Sequence, residues 1–279
     1  MRKFVLLFCS LTAFFINAQH VDSILLKQSS LMRMPLTVKD FGLKGKVKMI
    51  ETTTSNLEGP PMTTVRRNYF SETSMLLKTE FSNMDIADDK TVWNYHYSNN
   101  KLDSITMNDG TGKQIFHYDQ KNRLISQSNY GKYDDTKDQI EETESYFYND
   151  QDMMIKKIND STKFVILVLY DAKNQLKRSN FYHLDTPEDV NVSEYDAESK
   201  IENTIMKRNG KIIYSAAVII NSNGDFDVVD TKDQDNKQFK FTYEYIYDKN
   251  NNYINQLSFL NGKKDRVEDR KIVYYSDGK

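Results

Sequence analysis

Two histidines occupy equivalent positions in the sequence and are the first candidates for chemistry. His96 and His117 each precede a tyrosine, and that tyrosine is followed by a short polar residue. Imidazoles on neighbouring strands could bind a transition metal, although most such sites use three or four ligands. The same position holds Phe147 and Leu169 elsewhere in the chain, which favours half-buried strand residues. We therefore predict no metal site and no cofactor, with His96 and His117 kept as the alternative.

Acidic residues are numerous, and several occur in pairs. Asp134-Asp135 and Glu141-Glu142 are adjacent in the sequence, but hydrolysis of a glycoside needs two carboxylates that face each other across a cleft. No spacing singles out such a pair, and no nucleophilic-serine, phosphate-loop or dinucleotide motif occurs. We predict that the protein is not an enzyme, and we keep a secreted hydrolase as an alternative.

Two acidic and amide-rich segments have oxygen ligands at alternate positions, as calcium loops do. They are Asn221–Asp225 and Asp233–Asn236. Neither segment ends in the bidentate glutamate of the common calcium loop. A hairpin turn explains the first segment equally well.

Tyrosine is the most suggestive residue type, with 18 copies against one tryptophan, Trp93. A stacked tyrosine row on neighbouring strands presents flat ring faces that match a sugar ring, and hydroxyls that form polar contacts. The same row also stabilises a sheet through cross-strand pairs, and we favour this packing role. An exposed row would favour sugar binding, whereas a buried row would favour packing. The candidate ligand-binding residues are Tyr97, Tyr118, Tyr148, Tyr170 and Tyr247.

These tyrosines belong to a repeat. An aromatic or aliphatic anchor residue is followed at once by Asp, Asn or Ser, and in most copies an apolar residue returns six positions after the anchor. A short polar side chain at this place favours the start of a turn, because it can bond to the main chain nearby. Successive anchors are 21 to 30 residues apart. The anchors are Phe70, Tyr97, Tyr118, Tyr148, Tyr170, Tyr195, Ile220, Tyr247 and Tyr275.

The pattern within each repeat predicts two antiparallel strands. Tyr243, Tyr245 and Tyr247 alternate and so share one face of a strand, and Asn-Gly pairs such as Asn209-Gly210 mark hairpin turns. The fold class is therefore all-β, with tandem antiparallel hairpin repeats forming a long, curled meander sheet. The last repeat lacks its second strand, so we expect Lys46–Thr54 or another covering element to protect an edge of that sheet.

The repeat resembles that of the YD-repeat (RHS-like) proteins of bacteria. The resemblance is carried by Tyr118-Asp119 with Asn122-Arg123-Leu124, by Tyr170-Asp171 with Asn174 and Leu176, by Tyr195-Asp196 with Ile201, and by Tyr247-Asp248. It covers roughly residues 65–279, although four of the nine copies keep Tyr-Asp and the usual turn glycine is mostly Asn or Lys. The resemblance implies a sheet that winds round on itself. It also suggests an accessory of a toxin system as an alternative function.

The N-terminal segment predicts export. Residues 1–18 have the basic start, apolar stretch and final alanine of a signal peptide for the Sec pathway, so we expect a periplasmic or extracellular protein without a transmembrane span. The single cysteine, Cys9, lies inside this segment, which excludes disulfides from the mature chain. Removal of the segment leaves 36 basic and 40 acidic residues, which are mixed along the chain and make nucleic acid an unlikely partner.

These expectations give three segments: a signal peptide at 1–18, an N-terminal segment at 19–45 with a short capping helix in 20–34, and one repeat domain at 46–279. We predict an exported, non-enzymatic binding or scaffold module at the bacterial cell envelope. Its partner is an unknown protein or glycan, and the alternative is carbohydrate binding by the tyrosine face. The acidic insertion Asp134–Glu144 is the candidate for a specific loop.

Overall fold

The computed structural model describes residues 37–59, 62–86, 90–108, 112–131, 139–196 and 201–276. The predicted signal peptide and the predicted helix in 20–34 lie outside these residues. Eighteen strands and one turn of 3-10 helix, Val38–Phe41, make up the described fold. No helix in the described ranges is long and apolar enough to cross a membrane.

The strands are β1 (Val47–Asn56), β2 (Thr63–Phe70), β3 (Leu76–Asn83), β4 (Lys90–Ser98), β5 (Lys101–Met107), β6 (Gly112–Tyr118), β7 (Leu124–Gly131), β8 (Gln139–Tyr148), β9 (Met154–Asn159), β10 (Phe164–Tyr170), β11 (Leu176–His183), β12 (Thr186–Asp196), β13 (Ile201–Arg208), β14 (Lys211–Ile220), β15 (Phe226–Asp233), β16 (Gln238–Tyr247), β17 (Tyr253–Leu260) and β18 (Lys263–Tyr274).

Every strand pairs antiparallel with the next one along the chain, and the sheet closes on itself. β1 pairs with β2 on one side and with β18 on the other, so that Thr52 lies opposite both Arg66 and Arg270. The result is an 18-stranded closed barrel. The all-β antiparallel meander is confirmed, but the expectation of an open, curled sheet is wrong.

The closure of the sheet has a physical reason. The final repeat ends at β18 without a second strand of its own, and β1 takes the place of that missing strand. The expectation that residues 46–54 protect an edge of the sheet is confirmed, because β1 pairs with β18 and so joins the two ends of the sheet. A closed sheet leaves no unpaired row of main-chain donors and acceptors.

The described turns that follow an anchor lie at one end of the barrel, which we name the anchor end. Examples are residues 71–75, 119–123 and 171–175, which join consecutive strands. The remaining connections, such as those after Asn83 and Arg208, lie at the other end, which we name the distal end. Because the strands alternate in direction, this division follows from the meander itself.

In six of the described repeats the short polar residue after the anchor closes its turn with its side chain. Asp119 Oδ1 accepts a hydrogen bond of 2.9 Å from the main-chain nitrogen of Arg123, and Asp171 Oδ1 accepts one of 2.8 Å from that of Gln175. The residue four after the anchor has a positive φ, for example 67° at Asn122 and 62° at Asn174. Asn tolerates this left-handed conformation better than most residues, which explains why it stands where the resemblance predicts glycine.

The barrel has an apolar inner core at the anchor end. Tyr118 lies opposite Leu124, and both side chains point inward, whereas Ile125 forms a bulge that points outward. The N-terminal segment adds Val38 and Leu43 to the same cluster, with 3% and 4% of their surfaces exposed. Residues 37–45 thus cap the anchor end, and the capping helix that we expect in 20–34 stays a prediction.

Candidate functional site

The five candidate tyrosines lie on the inner face at the anchor end, and each is half-buried. Their rings pack in or against the apolar core, and their hydroxyls bond to the preceding repeat. The hydroxyls donate from Tyr97 to the main-chain oxygen of Leu76 at 2.7 Å, from Tyr118 to that of Leu102 at 2.8 Å, from Tyr148 to that of Leu124 at 2.7 Å, from Tyr170 to that of Met154 at 2.8 Å, and from Tyr247 to the carboxylate of Asp225 at 2.8 Å.

This geometry gives the tyrosine row a structural role. Burial raises the pKa of Tyr118 and of Tyr148 to about 12, because the phenolate loses its hydration. A ligand at these rings would also have to share the anchor end with the cap residues Val38 and Leu43. Sugar binding by the row stays a prediction, and the packing contacts favour the alternative.

The two candidate histidines lie on the outer face. His96 is on β4 and His117 is on β6, with β5 between them. His96 Nε2 already shares a hydrogen bond of 3.0 Å with the hydroxyl of Thr106. Among the described residues, no group of three or more His, Cys, Asp or Glu side chains could hold a metal ion.

The candidate calcium segments act as turns. Asn221 Oδ1 accepts hydrogen bonds from the main-chain nitrogens of Asn223 and Asp225 at 2.9 Å and 3.1 Å. Asp233 Oδ1 accepts in the same way from Asp235 and Lys237, each at 2.9 Å. Both leading oxygens are therefore engaged by the main chain, as expected for turn-forming residues.

One polar cluster lies on the inner face of β7 to β9. The carboxylate of Glu144 forms an ion pair of 2.7 Å with Lys157, and both side chains are less than a tenth exposed. Glu144 also accepts from the Tyr146 hydroxyl at 2.9 Å. Glu142, one member of the predicted acid pairs, accepts from Asn129 at 2.7 Å and from Asn159. The inward carboxylates of this wall are thus held by donors of the protein itself.

A second polar cluster lies on the inner face of β17, β18 and β2. Glu268 Oε1 accepts from the Tyr253 hydroxyl at 2.8 Å and from Arg270 Nε at 2.9 Å. The Arg270 guanidinium lies 3.3 Å from the centre of the Tyr253 ring. Arg66 is close to Glu268, whose charge raises the pKa of the Arg66 guanidinium, although burial lowers it by more.

We did not predict this second cluster from the sequence, although the alternation of residues along β18 indicates it. Ile272 belongs to the inner core, and Arg270, Glu268 and Arg266 follow it at alternate positions. They therefore share its face of the strand. Reading β18 as a core strand places three ionisable side chains inside the barrel.

Trp93 is the inward residue whose exposure stands out. It lies on the same face of β4 as Tyr95 and Tyr97, opposite Thr79 on β3 and Met107 on β5. Tyr95 is 8% exposed, whereas 40% of the Trp93 surface is exposed. The inner face of the barrel is therefore in contact with water at Trp93, which agrees with the aqueous interior that barrels of 16 to 18 strands can enclose.

The outer face is mainly polar and charged. Arg67 Nε donates to Glu51 on the neighbouring strand at 2.5 Å, and Lys78 forms an ion pair of 2.6 Å with Glu80 two residues along the same strand. One apolar band interrupts this surface near the anchor end on four consecutive strands, β7 to β10. It consists of Ile125, Phe147, Ile155 and Leu169, which are 40%, 45%, 37% and 54% exposed. We name these four residues the outer apolar band.

No protein-family model matches this chain, and no curated protein matches it significantly. A porin-like protein from Bacteroides uniformis is similar in structure at 12% identity and a TM-score of 0.45, over 82% of this chain and 98% of that chain. A porin-like protein from Bacteroides vulgatus gives 11% identity and a TM-score of 0.29, over 82% and 98%. The Photorhabdus luminescens Tc holotoxin pore gives 11% and 0.27, over 81% of this chain and 16% of that chain.

These structural similarities are weak. At such identities and TM-scores they identify no family and carry no argument about function. The resemblance of the repeat to YD-repeat proteins accordingly stays a prediction.

Proposed function

We propose that this chain is an exported, non-enzymatic binding protein whose ligand enters the barrel at the distal end. The observation that carries the proposal is the inward position of Trp93 together with its 40% exposure. An exposed indole inside an open cavity offers a flat apolar surface that can stack on a sugar ring. A soluble oligosaccharide is therefore the ligand class that we favour.

Contacts at the other end support this choice. The anchor end is filled by the tyrosine rings and by Val38 and Leu43 of the cap. Lys44 also fixes the cap to the turn after β16, because its main-chain nitrogen donates to Asn252 Oδ1 at 2.7 Å. These contacts leave a ligand little room at the anchor end, which favours entry from the other end.

Charges on the outer face support a protein surrounded by water. Glu51, Arg67 and Glu80 lie in mid-strand positions of β1 to β3, where a lipid-facing Arg or Lys costs about 2–4 kcal/mol. Together with the signal-peptide pattern of residues 1–18, this favours a location in the periplasm or outside the cell.

Contacts of the inner carboxylates support a non-enzymatic role. Glu144 is paired with Lys157, and Glu268 is paired with Arg270. General acid catalysis on a glycoside needs a carboxyl that keeps its proton and reaches the substrate. Carboxylates engaged by cationic donors do not suit that task.

Tryptophan fluorescence tests the proposal directly, since Trp93 is the single tryptophan of the sequence. The chain from residue 19 onward is titrated with neutral malto-, cello- and chito-oligosaccharides. We expect saturable changes in emission with at least one series. Calorimetry on Trp93→Phe should then show affinity weakened about tenfold, which corresponds to roughly 1.4 kcal/mol.

Phe147→Leu serves as the matched control, because it alters an exposed aromatic residue on the outer face instead of the inner face. Its affinity should equal that of the unmodified chain. Emission that no oligosaccharide changes, or equal weakening by the two variants, would remove the support for a site inside the barrel.

The outer apolar band favours a second candidate function, which is docking to another protein as a scaffold. Four neighbouring strands each expose one large apolar side chain at the same height, and such patches often mark interaction sites. Analytical ultracentrifugation of the unmodified chain and of Leu169→Lys tests one form of this role. Association that the variant abolishes supports it, and a monomer in both samples shows that the band does not join copies of this chain.

A further inference from the structure

Four inward side chains lie at the same depth of the barrel near the distal end. Phe241, Arg266, Arg66 and Trp93 are each the fourth residue of their strand, on β16, β18, β2 and β4. These four strands all run from the distal end to the anchor end, with one strand between each pair of neighbours. Paired strands lie about 4.8 Å apart, so successive members of the set are separated by about 10 Å perpendicular to the strands. The pairing register adds an offset of two to four residues along the strands.

The two arginines stand in a wall of positive charge. The inner face of β18 between Arg266 and Ile272 carries two arginines, Arg266 and Arg270, and one carboxylate, Glu268. The described inner residues of β1 and β2 that pair across this stretch add Arg66 and no carboxylate. Arg270 is tightly held by Glu268 through an ion pair of 2.8 Å, and 1% of its side chain is exposed. This wall therefore carries a net charge of about +2.

Arg266 needs an additional acceptor. Its Nε is buried and has no hydrogen-bond partner in the described structure. A buried donor without an acceptor costs about 1–3 kcal/mol, and more when the group is charged. Arg66 is also partly dehydrated. Burial lowers the pKa of its guanidinium, although the charge of the nearby Glu268 raises it by a smaller amount. Arg266 therefore gains from an anionic acceptor, and the positive charge of Arg66 adds to the attraction of an anion.

We propose that the distal end binds an acidic oligosaccharide, with its anionic groups on Arg266 and Arg66 and its sugar rings against Trp93 and Phe241. This inference rests on the proposed function and specifies its ligand class. Guanidinium groups bind carboxylates and sulfates through paired hydrogen bonds, so either anion fits the chemistry. The spread of the four side chains over seven strands suits an extended chain better than a single small ion.

The experiment uses the chain from residue 19 onward and compares three probes: an oligogalacturonate, a sulfated oligosaccharide derived from heparin, and a neutral malto-oligosaccharide. Binding is followed by Trp93 emission and by calorimetry. We expect the acidic probes to bind at least tenfold more tightly than the neutral one, with an affinity that falls as salt rises. The two acidic probes distinguish carboxylate from sulfate as the preferred anion.

Variants assign the site. Arg266→Gln should weaken binding of the preferred acidic probe about tenfold and leave the neutral probe unchanged, while Arg266→Lys, which keeps the charge, should retain part of the affinity. Arg66→Gln provides a second test if Arg266→Gln does not fold. Lys271→Gln, an exposed cation on the outer face of β18, is the control and should change neither affinity.

The outcomes separate the two proposals. Equal affinity for acidic and neutral probes overturns the acidic preference and leaves sugar binding at Trp93 intact. An acidic preference that Arg266→Gln and Arg66→Gln do not reduce overturns the assigned site. Absence of binding by all three probes overturns the proposed function, and the inference falls with it.

Discussion

The Tyr275 hydroxyl donates a hydrogen bond of 2.6 Å to the main-chain oxygen of Phe70, which lies 205 residues earlier in the sequence. The bond reaches from the last anchor to the first, across the position of β1. Tyr275 also donates its main-chain nitrogen to Lys46 at 2.8 Å. The two ends of the repeat series are therefore joined by the same kind of tyrosine contact that joins neighbouring repeats.

Closure of the barrel can be tested with a disulfide. Thr53 on β1 lies opposite Asp269 on β18, and directly opposed residues of antiparallel strands are near enough for a disulfide. The chain from residue 19 onward has no other cysteine. Thr53→Cys with Asp269→Cys should therefore oxidise readily and stabilise the fold by about 3–5 kcal/mol, as measured by thiol titration and urea unfolding.

A shifted pair controls for chance contact. Thr53→Cys with Lys271→Cys places the second thiol two residues from the paired position, where a bridge would require movement of the main chain. Rapid oxidation of both pairs, or of neither, would contradict the register that closes the barrel.

Tyrosine hydroxyls should contribute measurably to stability. Tyr118→Phe removes the 2.8 Å hydrogen bond to Leu102 and leaves a buried acceptor, so the free energy of unfolding should fall by about 1 kcal/mol. Tyr69→Phe is the control, because its hydroxyl makes a longer bond of 3.3 Å to Glu80 on the outer face. Equal losses in the two variants would show that the inner hydroxyls have no special role.

The buried ion pair predicts a strongly destabilised variant. Lys157→Met leaves the carboxylate of Glu144 without its cation in a site that is 6% exposed, and breaking such a pair costs about 3–5 kcal/mol. Adding Glu144→Leu should restore much of the loss, since no charge then remains, although Tyr146 loses its acceptor. Urea unfolding measures both. If Lys157→Met alone lowers the free energy of unfolding by less than about 1 kcal/mol, the buried pairing is refuted.

Alkaline pH should unfold the barrel before its inner tyrosines ionise freely. Burial raises the pKa of Tyr118, Tyr148 and Tyr243 to about 12, whereas an unfolded tyrosine titrates near 10. The unfolded chain releases its protons first, so the stability from the neutral phenols is complete below about pH 10 and is lost as the pH rises toward 12.

Phenolate absorbance and circular dichroism, followed together, check this prediction. Ionisation and loss of structure should coincide, and the double variant Tyr118→Phe with Tyr148→Phe should lose stability less steeply with pH. Smooth titration of every tyrosine near pH 10 in a folded protein would refute the burial of the row.

The local structure was predictable because it depends on residues close in sequence. A short polar residue after each anchor forms the turn, as Asn149 does for Met153 at 2.9 Å. The shared face of Tyr243, Tyr245 and Tyr247 follows from the alternation of a strand, and the inward rings of Tyr243 and Tyr245 stack at 6.4 Å between centroids. The anchors thus located both the turns and the inner core.

Closure was not predictable from the same signals. The pairing of β1 with β18 joins residues more than 200 positions apart, such as Ile50 and Ile272. The incomplete last repeat predicted that an element protects an edge, but no residue pattern predicted that one strand would pair with both ends of the sheet. The charged inner wall was missed for a related reason. From the sequence alone, Glu268 and Arg270 are typical of residues that face solvent. They lie inside the protein because the sheet closes into a barrel and their face of β18 points inward.

Placing the first strand between the second and the last has a consequence for how the protein reaches its native state. Synthesis delivers β1 before β18, so the hydrogen bonds between them must wait until β18 has emerged. Folding intermediates therefore leave one edge of β1 or β2 unpaired during most of synthesis. Contacts between residues so far apart in sequence also form slowly. The completed ring, by contrast, has no terminal repeat that can fray.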